Sequence, residues 1–363
     1  MQSFDIVRKS SPKQTFRVAA IVGRFDLQST TIEERFTGAI EPKNDWQVGL
    51  IVGKSGTGKT SIARQLFPES IVIGYEWGEN AVVDDMPKSK SIDEITGAFM
   101  SVGFSSPPSW LKPYSVLSNG EKMRCDLARA ILEDSEMFVF DEFTSVVDRQ
   151  VAQVASYAMQ KAIRKTQNRF IAVTCHADVE DWLLPDWVFS TDDMTFRESD
   201  GQKKNRPEIR IQIFDTKDRE VWKLFARHHY LAHNHNTAAR IFVIFADGQL
   251  CGMLSTLNFP NQWRMIRKAH RLVILPDYQG IGLAMILNEF VAKDCETNKI
   301  TYMITTSHPS LIAAMRKSEK WKMIRNGRVA KHSNKTLSHG SKMAQSGSSG
   351  RITATFEWKK TNE

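Results

Sequence analysis

At 363 residues, with 41% hydrophobic and 25% charged side chains, the chain has the composition of an ordinary folded protein and room for two domains, each with its own core. No apolar run approaches the roughly 20 residues of a membrane helix. The start Met1-Gln2-Ser3-Phe4-Asp5 lacks the apolar core of a secretory signal, and four scattered cysteines without a C-x-x-C pair argue for reduced thiols in a cytoplasmic protein, against disulfides or zinc.

Phe4–Val7 and Phe16–Val22 read as strands leading up to a third. Phe25 is placed either in the core or against an adenine ring. The third strand is the apolar run Val48–Val52, and Ser61–Leu66 suits a helix. Between them stands Gly53-Lys54-Ser55-Gly56-Thr57-Gly58-Lys59-Thr60, the pattern G-x-x-x-x-G-K-T of a P-loop. Gly53, Gly56 and Gly58 let the backbone, Ser55 included, wrap a phosphate with its N–H groups turned inward at a helix N-terminus. Lys59 then reaches the β- and γ-phosphates, and the Thr60 hydroxyl ligates Mg²⁺.

Leu117-Ser118-Asn119-Gly120-Glu121-Lys122 opens a helix that runs through Leu132. Ser118 caps it, and its first amides form an anion site. Met137-Phe138-Val139-Phe140 is an apolar strand ending in Asp141 and Glu142, placed to hold Mg²⁺ and to polarise an attacking water. Ser145–Asp148 follows at once, and the strand Phe170–Thr174 delivers His176 to the same carboxyl-end edge, within reach of a γ-phosphate.

In this order and spacing, residues 1–195 resemble the ABC-type ATPases. Gly53–Thr60 matches their Walker A motif, Leu117–Lys122 their signature motif and Phe138–Glu142 their Walker B motif; Ser145–Asp148 looks like the D-loop and His176 like the switch histidine. The resemblance implies two ATPases paired head to tail, with Ser118 and Gly120 of one chain closing on the γ-phosphate held by Lys59 of the other. One ATPase per chain therefore predicts an ATP-dependent homodimer. Two departures matter. The stretch between the P-loop and Leu117 is shorter than in transporter ATPases and offers no clear Q-loop glutamine, Asp84 or Asp85 standing near that position. Since that subdomain docks the membrane partner of a transporter, its shrinkage argues against transport and against a transmembrane subunit. The signature also ends in Glu-Lys, as in the SMC and DNA-repair branch.

Thr195–Pro207 is polar, with Gly201, Lys203, Lys204 and Pro207 close together, and residues 196–207 read as a linker. A second domain begins at 208. Ile209–Phe214 reads as a strand, and Arg219–Leu231 as a helix burying Val221, Trp222, Leu224 and Phe225. Ile241–Phe245 and Leu250–Leu257 form a hairpin around Asp247-Gly248, and Arg271–Leu275 is a strand stopped by Pro276. Gln279-Gly280-Ile281-Gly282-Leu283-Ala284 follows, a glycine turn into a helix that offers several amides to a pyrophosphate. By itself this fits a dinucleotide site or a plain turn equally, but the third glycine of the dinucleotide fingerprint is missing.

With Leu275-Pro276-Asp277-Tyr278 before it, the turn looks like motif A of the GNAT acyltransferases, and the resemblance extends over residues 208–358 through Tyr302–Thr305, Ser310–Lys317 and Ile352–Trp358. It implies acetyl-CoA held by Val273, Gln279, Gly280, Ile281, Gly282, Leu283 and Ala284. Acyl transfer to an amine needs a base for the amine and an acid for the leaving thiolate. The tyrosine that often serves as acid is absent, Arg316 standing in its neighbourhood. Candidates lie instead in the segment bordering the acceptor pocket, at His228, His229 and Tyr230, with His270 as a further possible base. His229 and His233, four apart, also have the spacing of metal ligands on a helix. The His229-Tyr230 pair resembles, over a short stretch, the GNAT-like phage Mom proteins that modify DNA adenines.

The formal charge of +8 is uneven: residues 1–195 carry 21 Lys+Arg against 27 Asp+Glu, a net −6, and residues 196–363 carry 28 against 14, a net +14. Arg316–Lys342 is especially basic and runs into Ser346–Gly350, reading as a loop suited to a phosphate backbone or to plain solvation. The expectation is thus an α/β P-loop NTPase domain of ABC type (1–195) followed by an α+β GNAT acyltransferase domain (208–363). It would use ATP, Mg²⁺ and acetyl-CoA to acylate an amine on a nucleic acid. A protein or small-amine acceptor, and an ATP-dependent nucleic-acid clamp with a non-catalytic GNAT domain, are the alternatives.

Overall fold

The computed structural model describes residues 2–27, 30–72, 74–133, 135–199, 209–229, 235–260, 264–328 and 352–359. In chain order its elements are β1 (Gln2–Ser10), α1 (Phe16–Phe25), β2 (Ile32–Ile40), β3 (Val48–Val52), α2 (Lys59–Leu66), β4 (Ile71–Val72), α3 (Ile92–Ser101), α4 (Pro107–Trp110) and α5 (Asn119–Leu132). There follow β5 (Met137–Phe140), α6 (Arg149–Ile163), β6 (Arg169–Thr174), α7 (Val179–Leu183), β7 (Trp187–Ser190) and β8 (Thr195–Glu198). The remainder is β9 (Ile211–Thr216), α8 (Val221–Phe225), β10 (Arg240–Ala246), β11 (Gln249–Pro260), β12 (Met265–Ile274), α9 (Leu283–Thr297), β13 (Thr301–Thr306), α10 (Pro309–Lys317), β14 (Trp321–Arg328) and β15 (Ile352–Trp358). Contacts divide the chain into two compact units: Met1–Trp77 with Asp126–Pro207, and Gly78–Cys125 with Glu208–Glu363. The segment Gly78–Cys125, which lies within 1–195 in sequence, therefore packs with residues of the second half. β8 extends sheet pairing to Glu198, so the first residues of the 196–207 stretch belong to a strand. None of the four cysteines is in a disulfide.

In the first unit, six strands lie in the order β4-β5-β6-β3-β7-β8, parallel except for the β7–β8 pair. Every residue of β3 is buried, as a parallel strand flanked on both sides requires. Gly49 lies under Trp187: a Cβ there would stand 2.1 Å from the indole ring. β1 and β2 form a separate antiparallel pair whose Phe4 and Phe36 share a core with Ile62, Ala63 and Phe67 of α2 and with Ile51, Val173 and Phe189 of the large sheet. α2 is thereby fixed by apolar surface of both sheets.

One element differs in type from expectation. Phe16–Val22 is the helix α1, not a strand. Val18, Ile21, Val22 and Phe25 follow the i, i+3, i+4, i+7 pattern, the Thr15 hydroxyl accepts from the Val18 amide, and Asp26 closes the other end in the left-handed region at φ 49°. No residue of α1 is buried, and Phe25 lies on its exposed surface.

The second unit is built on a seven-stranded sheet in the order β14-β15-β13-β12-β11-β10-β9. One face packs Leu283, Leu287, Val291 and Cys295 of α9 and Leu311 and Met315 of α10 against Phe242, Leu254, Tyr302 and Phe356. The other packs Trp222 and Phe225 of α8 against Ile241, Val243, Met253 and Val273. The β10–β11 turn has φ 47° at Asp247 and 81° at Gly248, the pair of positive values that a tight hairpin needs and that Asp-Gly tolerates.

Two further expectations are corrected here. Of the expected 219–231 helix, the residues described form only α8, a single 3₁₀ turn at Ala226–His228 and an extended His229, with 230–231 outside the described residues, and Leu224 faces solvent. Once Trp222 and Phe225 have reached the core, His228 and His229 supply little helix propensity to carry the helix on. The basic 316–342 stretch begins with a helix end and the edge strand β14, anchored by the buried Trp321 and charged at Lys322 and Arg325 as exposed edges commonly are. Residues 329–351 lie outside the described residues.

Candidate functional site

Parallel strands bring their carboxyl ends to one edge, and in the first unit β5, β6 and β3 lie side by side. The turns after them therefore meet. After β3, Gly53 has no room for a side chain, a Cβ there standing 2.2 Å from the Thr191 hydroxyl. Gly56 and Gly58 both adopt φ 87°, where L side chains are strained, and Gly58 caps the start of α2. Ser55 is exposed at the loop's tip. Lys59, largely buried, folds back so that Nζ donates to the Lys54 carbonyl at 2.7 Å, and the Thr57 hydroxyl donates to the same carbonyl at 2.8 Å. The Lys54 amide donates to Asp192 at 2.9 Å, pinning the loop to the turn after β7.

The Thr60 hydroxyl donates to Asp141 Oδ1 at 3.3 Å, which joins the helix start after β3 to the end of β5. A hydroxyl and a carboxylate at this spacing, beside a phosphate loop, form the oxygen donor set that Mg²⁺ takes together with phosphate oxygens and water. Glu142 sits at φ 55°, its amide bonded to Asp141 Oδ1 at 3.0 Å and its carboxylate accepting from the Ser145 hydroxyl at 2.5 Å. His176, past the end of β6, is held by its amide on the Thr174 hydroxyl at 3.2 Å, while its buried Nδ1 has no hydrogen-bond partner among the described residues. An orphaned imidazole nitrogen between the loops after β3 and β5 suits a ligand oxygen.

Ser118 and Gly120 belong to the second unit. The Ser118 hydroxyl accepts from the Glu121 amide at 3.3 Å while its own amide donates to the Glu121 carboxylate at 3.1 Å, a reciprocal cap at the start of α5. Ser109 donates to the same carboxylate at 2.7 Å, and Ser118 itself stays exposed. Asp85, near the missing Q-loop position, accepts from the Gly78 amide at 2.8 Å and so closes a turn.

The second cradle forms where two parallel strands part. β12 and β13 pair only at Ile266–Lys268 with Thr301–Met303; beyond that, β12 stays with β11 and β13 with β15. At the end of β12, a 3₁₀ turn at Pro276–Tyr278 leads to Gly280 at φ 88° and Gly282 at φ 94°, the latter capping α9. Alternation of these glycines with ordinary residues turns successive amides to one side. Ile281, Leu283 and Ala284 send their side chains to the core, as does Val273 on the other face, and Gly282 is exposed. Of this loop Gly282 is exposed while Gln279, Gly280 and Ile281 are part-buried.

Around α8, the expected histidines gather with an aromatic. Trp222 meets the buried His229 edge-on at 5.8 Å and stacks on His235 at 5.3 Å. His270 lies 5.6 Å from His235 and occupies a bulge, since Ser255 faces Arg271 and Thr256 faces Ala269. Its Nε2 accepts from the Asn236 amide at 3.4 Å. Burial, followed by Arg271 and His235, pushes the His270 imidazole down to about 4, so at neutral pH it is the uncharged imidazole. His228 accepts from Arg227 at 3.1 Å and is likewise held below the ordinary imidazole range, by burial and then by Arg227. Tyr230 and His233 lie outside the described residues. His229 is extended and not helical, so the i, i+4 metal geometry is not formed from its side; among the described residues no cluster of three or more His, Cys, Asp or Glu is placed to hold a metal. Nothing in the sequence placed Ser105 or Arg124 beside the Asp277–Gly282 turn; the Ser105 amide donates to Gln279 and Arg124 to Asp277.

Comparison with known proteins matches each half separately. The Acetyltransferase (GNAT) family profile matches residues 207–316. Among curated proteins, the chain is 25% identical over 152 residues to the uncharacterized ABC transporter ATP-binding protein YlmA of Bacillus subtilis, covering 30% of this chain and 56% of that protein. The chain thus spans little more than half the length of that relative. Among solved structures, similarity extends to cbiO1 of Clostridium perfringens, part of an ABC transporter complex, with 17% identity and a TM-score of 0.36 over 45% of this chain and 78% of that one. It extends also to the ribosomal-protein-S18-alanine N-acetyltransferase of Escherichia coli, with 12% identity and a TM-score of 0.31 over 42% of this chain and 96% of that one. No helix among the described residues is long and apolar enough to cross a membrane.

Proposed function

We propose that this chain, an ABC ATPase-like N-terminal region joined to a C-terminal GNAT acetyltransferase domain, hydrolyses ATP and transfers an acetyl group from acetyl-CoA to an amine on a nucleic acid. The observation that carries the reading is two glycine turns of different design, each opening a helix. One is a P-loop whose Thr60 meets Asp141, and the other a Gly280/Gly282 turn at the mouth of two parting strands.

In the ATPase, the amides of Gly53–Thr60, with Ser55 at the tip, and the Lys59 ammonium hold the triphosphate. Thr60 and Asp141 hold Mg²⁺, which when bound offsets phosphate charge. Glu142 orients and polarises the attacking water, and His176 contacts the γ-phosphate. Ser118 and Gly120 of a second chain complete the site in an ATP-dependent homodimer. The short stretch before Leu117 favours a role without a transport subunit.

In the transferase, amides from Gln279 to Ala284 hold the carrier's pyrophosphate and Val273 borders its arm. The acceptor amine gives its proton to an unprotonated imidazole. His228, His229 and His270 are the candidates by position, with Tyr230 beside them in sequence as the acid for the departing thiolate. The net +14 of residues 196–363 supports a polyanionic acceptor. A protein or small amine, and a clamp in which the GNAT domain only binds, are the competing readings; the missing acid at Arg316 favours the latter.

Mass spectrometry of nucleosides and proteins from cells with and without the gene tests the acceptor. An acetylated nucleoside present only with the gene is expected; acetyl groups found only on protein contradict the nucleic-acid reading. Binding to nucleic acid is expected to weaken by about 10³-fold or more between about 50 and 200 mM salt.

A further inference from the structure

The carrier loop is gripped by a segment distant in sequence, within the same compact unit. Arg124, on α5 and only 1% exposed, donates from Nη1 to the Asp277 carboxylate at 3.3 Å and from Nη2 to the Asp277 carbonyl at 3.0 Å. The Ser105 amide donates to Gln279 Oε1 at 2.7 Å, while Gln279 Nε2 donates to the Ile274 carbonyl at 2.8 Å, so one side chain spans from the segment to the end of β12. Gly103, at φ 84°, approaches so closely that a Cβ would stand 2.8 Å from the Gln279 carbonyl oxygen.

The same turn also reaches the other strand. The Ser105 carbonyl lies 3.4 Å from His308 Nε2, and Ser310 Oγ lies 3.1 Å from Met100 Sδ, both just past the end of β13. Residues 100–105 therefore bridge the two lips of the gap that opens between β12 and β13. Arg124 adds a second hold on the β12 side. It stands one helical turn after Gly120 on α5, the helix whose start is capped by Ser118. Burying a guanidinium is costly unless its partners stay in place, so the position of α5 and that of Asp277 are linked.

We propose that Ser105 and Arg124 are positioning residues for the acyl-carrier loop, and that through α5 they couple acetyl-CoA binding to the nucleotide state met at Ser118 and Gly120. The proposal rests on the two-cradle reading and names how its halves communicate. A partner's ATP pressing on the start of α5 shifts Arg124, and with it the Asp277–Gly280 turn. Linkage makes the effect reciprocal, so bound acetyl-CoA changes ATP affinity by the same factor.

Calorimetry with the full chain tests this, acetyl-CoA being titrated with and without a non-hydrolysable ATP analogue. The wild-type affinity for acetyl-CoA is expected to change by about fivefold or more with the analogue. In Asp277→Asn, and separately in Arg124→Lys, each assayed well below its own thermal unfolding transition, analogue affinity without acetyl-CoA should stay near wild type while that ratio falls toward one. A purely structural contact would lower stability without altering the ratio. Wild-type protein that binds both ligands with no mutual effect overturns the coupling and leaves both cradles standing. Variants that retain the wild-type ratio overturn the route through Arg124. Wild-type protein that binds no acetyl-CoA overturns the transferase reading and the coupling together.

Discussion

His270 shows how a single position acquires chemistry from its surroundings. A bulge places it beside His235, with Trp222 stacked behind, and burial with Arg271 holds its imidazole down to about 4. The folded protein thus refuses a proton that the unfolded chain takes up near 6.5. Its contribution to stability is complete above about 6.5 and is lost as pH falls toward 4. Titration of the histidine resonances by NMR should show His270 changing near about 4; a midpoint at 6 or above contradicts the buried, proton-poor setting. Lys59 is the opposite case, its Nζ held beside the Lys54 carbonyl oxygen at 2.7 Å. The phosphate role proposed for Lys59 rests on the loop pattern, whereas the setting of His270 depends on a register shift with no local signature.

At the scale of elements, α9 is the part on which the carrier loop depends. Its N-terminus continues the Gly280/Gly282 turn, and near its C-terminus Asp294 accepts from Arg240 of β10 at 2.7 Å and from Arg267 of β12 at 3.2 Å. Asp294→Ala leaves the mostly buried Arg267 with only Asn258 as a described side-chain oxygen acceptor, and is expected to cost about 2 kcal/mol in urea unfolding. A loss near zero would mean that the ion pairs contribute nothing to the seat of α9. Parallel strands read clearly in the sequence because both their faces are buried: Val48–Val52, Met137–Phe140 and Phe170–Thr174 fall where the structure has β3, β5 and β6. So does the Asp247-Gly248 hairpin, whose turn demands its residues. Elements with little burial read poorly. α1 has no buried residue, so its short apolar run passed for a strand until capping at Thr15 decided it. β14 hides only Trp321 among basic neighbours. The approach of residues 100–105 to Gln279 joins positions 174 apart at the Ser105 bond and leaves no pattern in either segment.

For the whole molecule, two cradles on one chain set what must happen in order. If, as proposed, Ser118 and Gly120 of a second copy close the ATP site, Glu142→Gln, which keeps the phosphate loop but removes the carboxylate, is expected to accumulate as an ATP-bound dimer on gel filtration. Monomer alone with ATP would count against pairing. A glutamate at Gly280 crowds the carrier loop and opposes a pyrophosphate by charge, and an alanine at Lys59 removes the cation from the P-loop. Calorimetric titration of ATP and of acetyl-CoA into wild type, Lys59→Ala and Gly280→Glu compares the two sites in one measurement. Wild type is expected to take both ligands, Lys59→Ala to lose ATP alone and Gly280→Glu to lose acetyl-CoA alone. Unchanged acetyl-CoA affinity in Gly280→Glu would contradict the account.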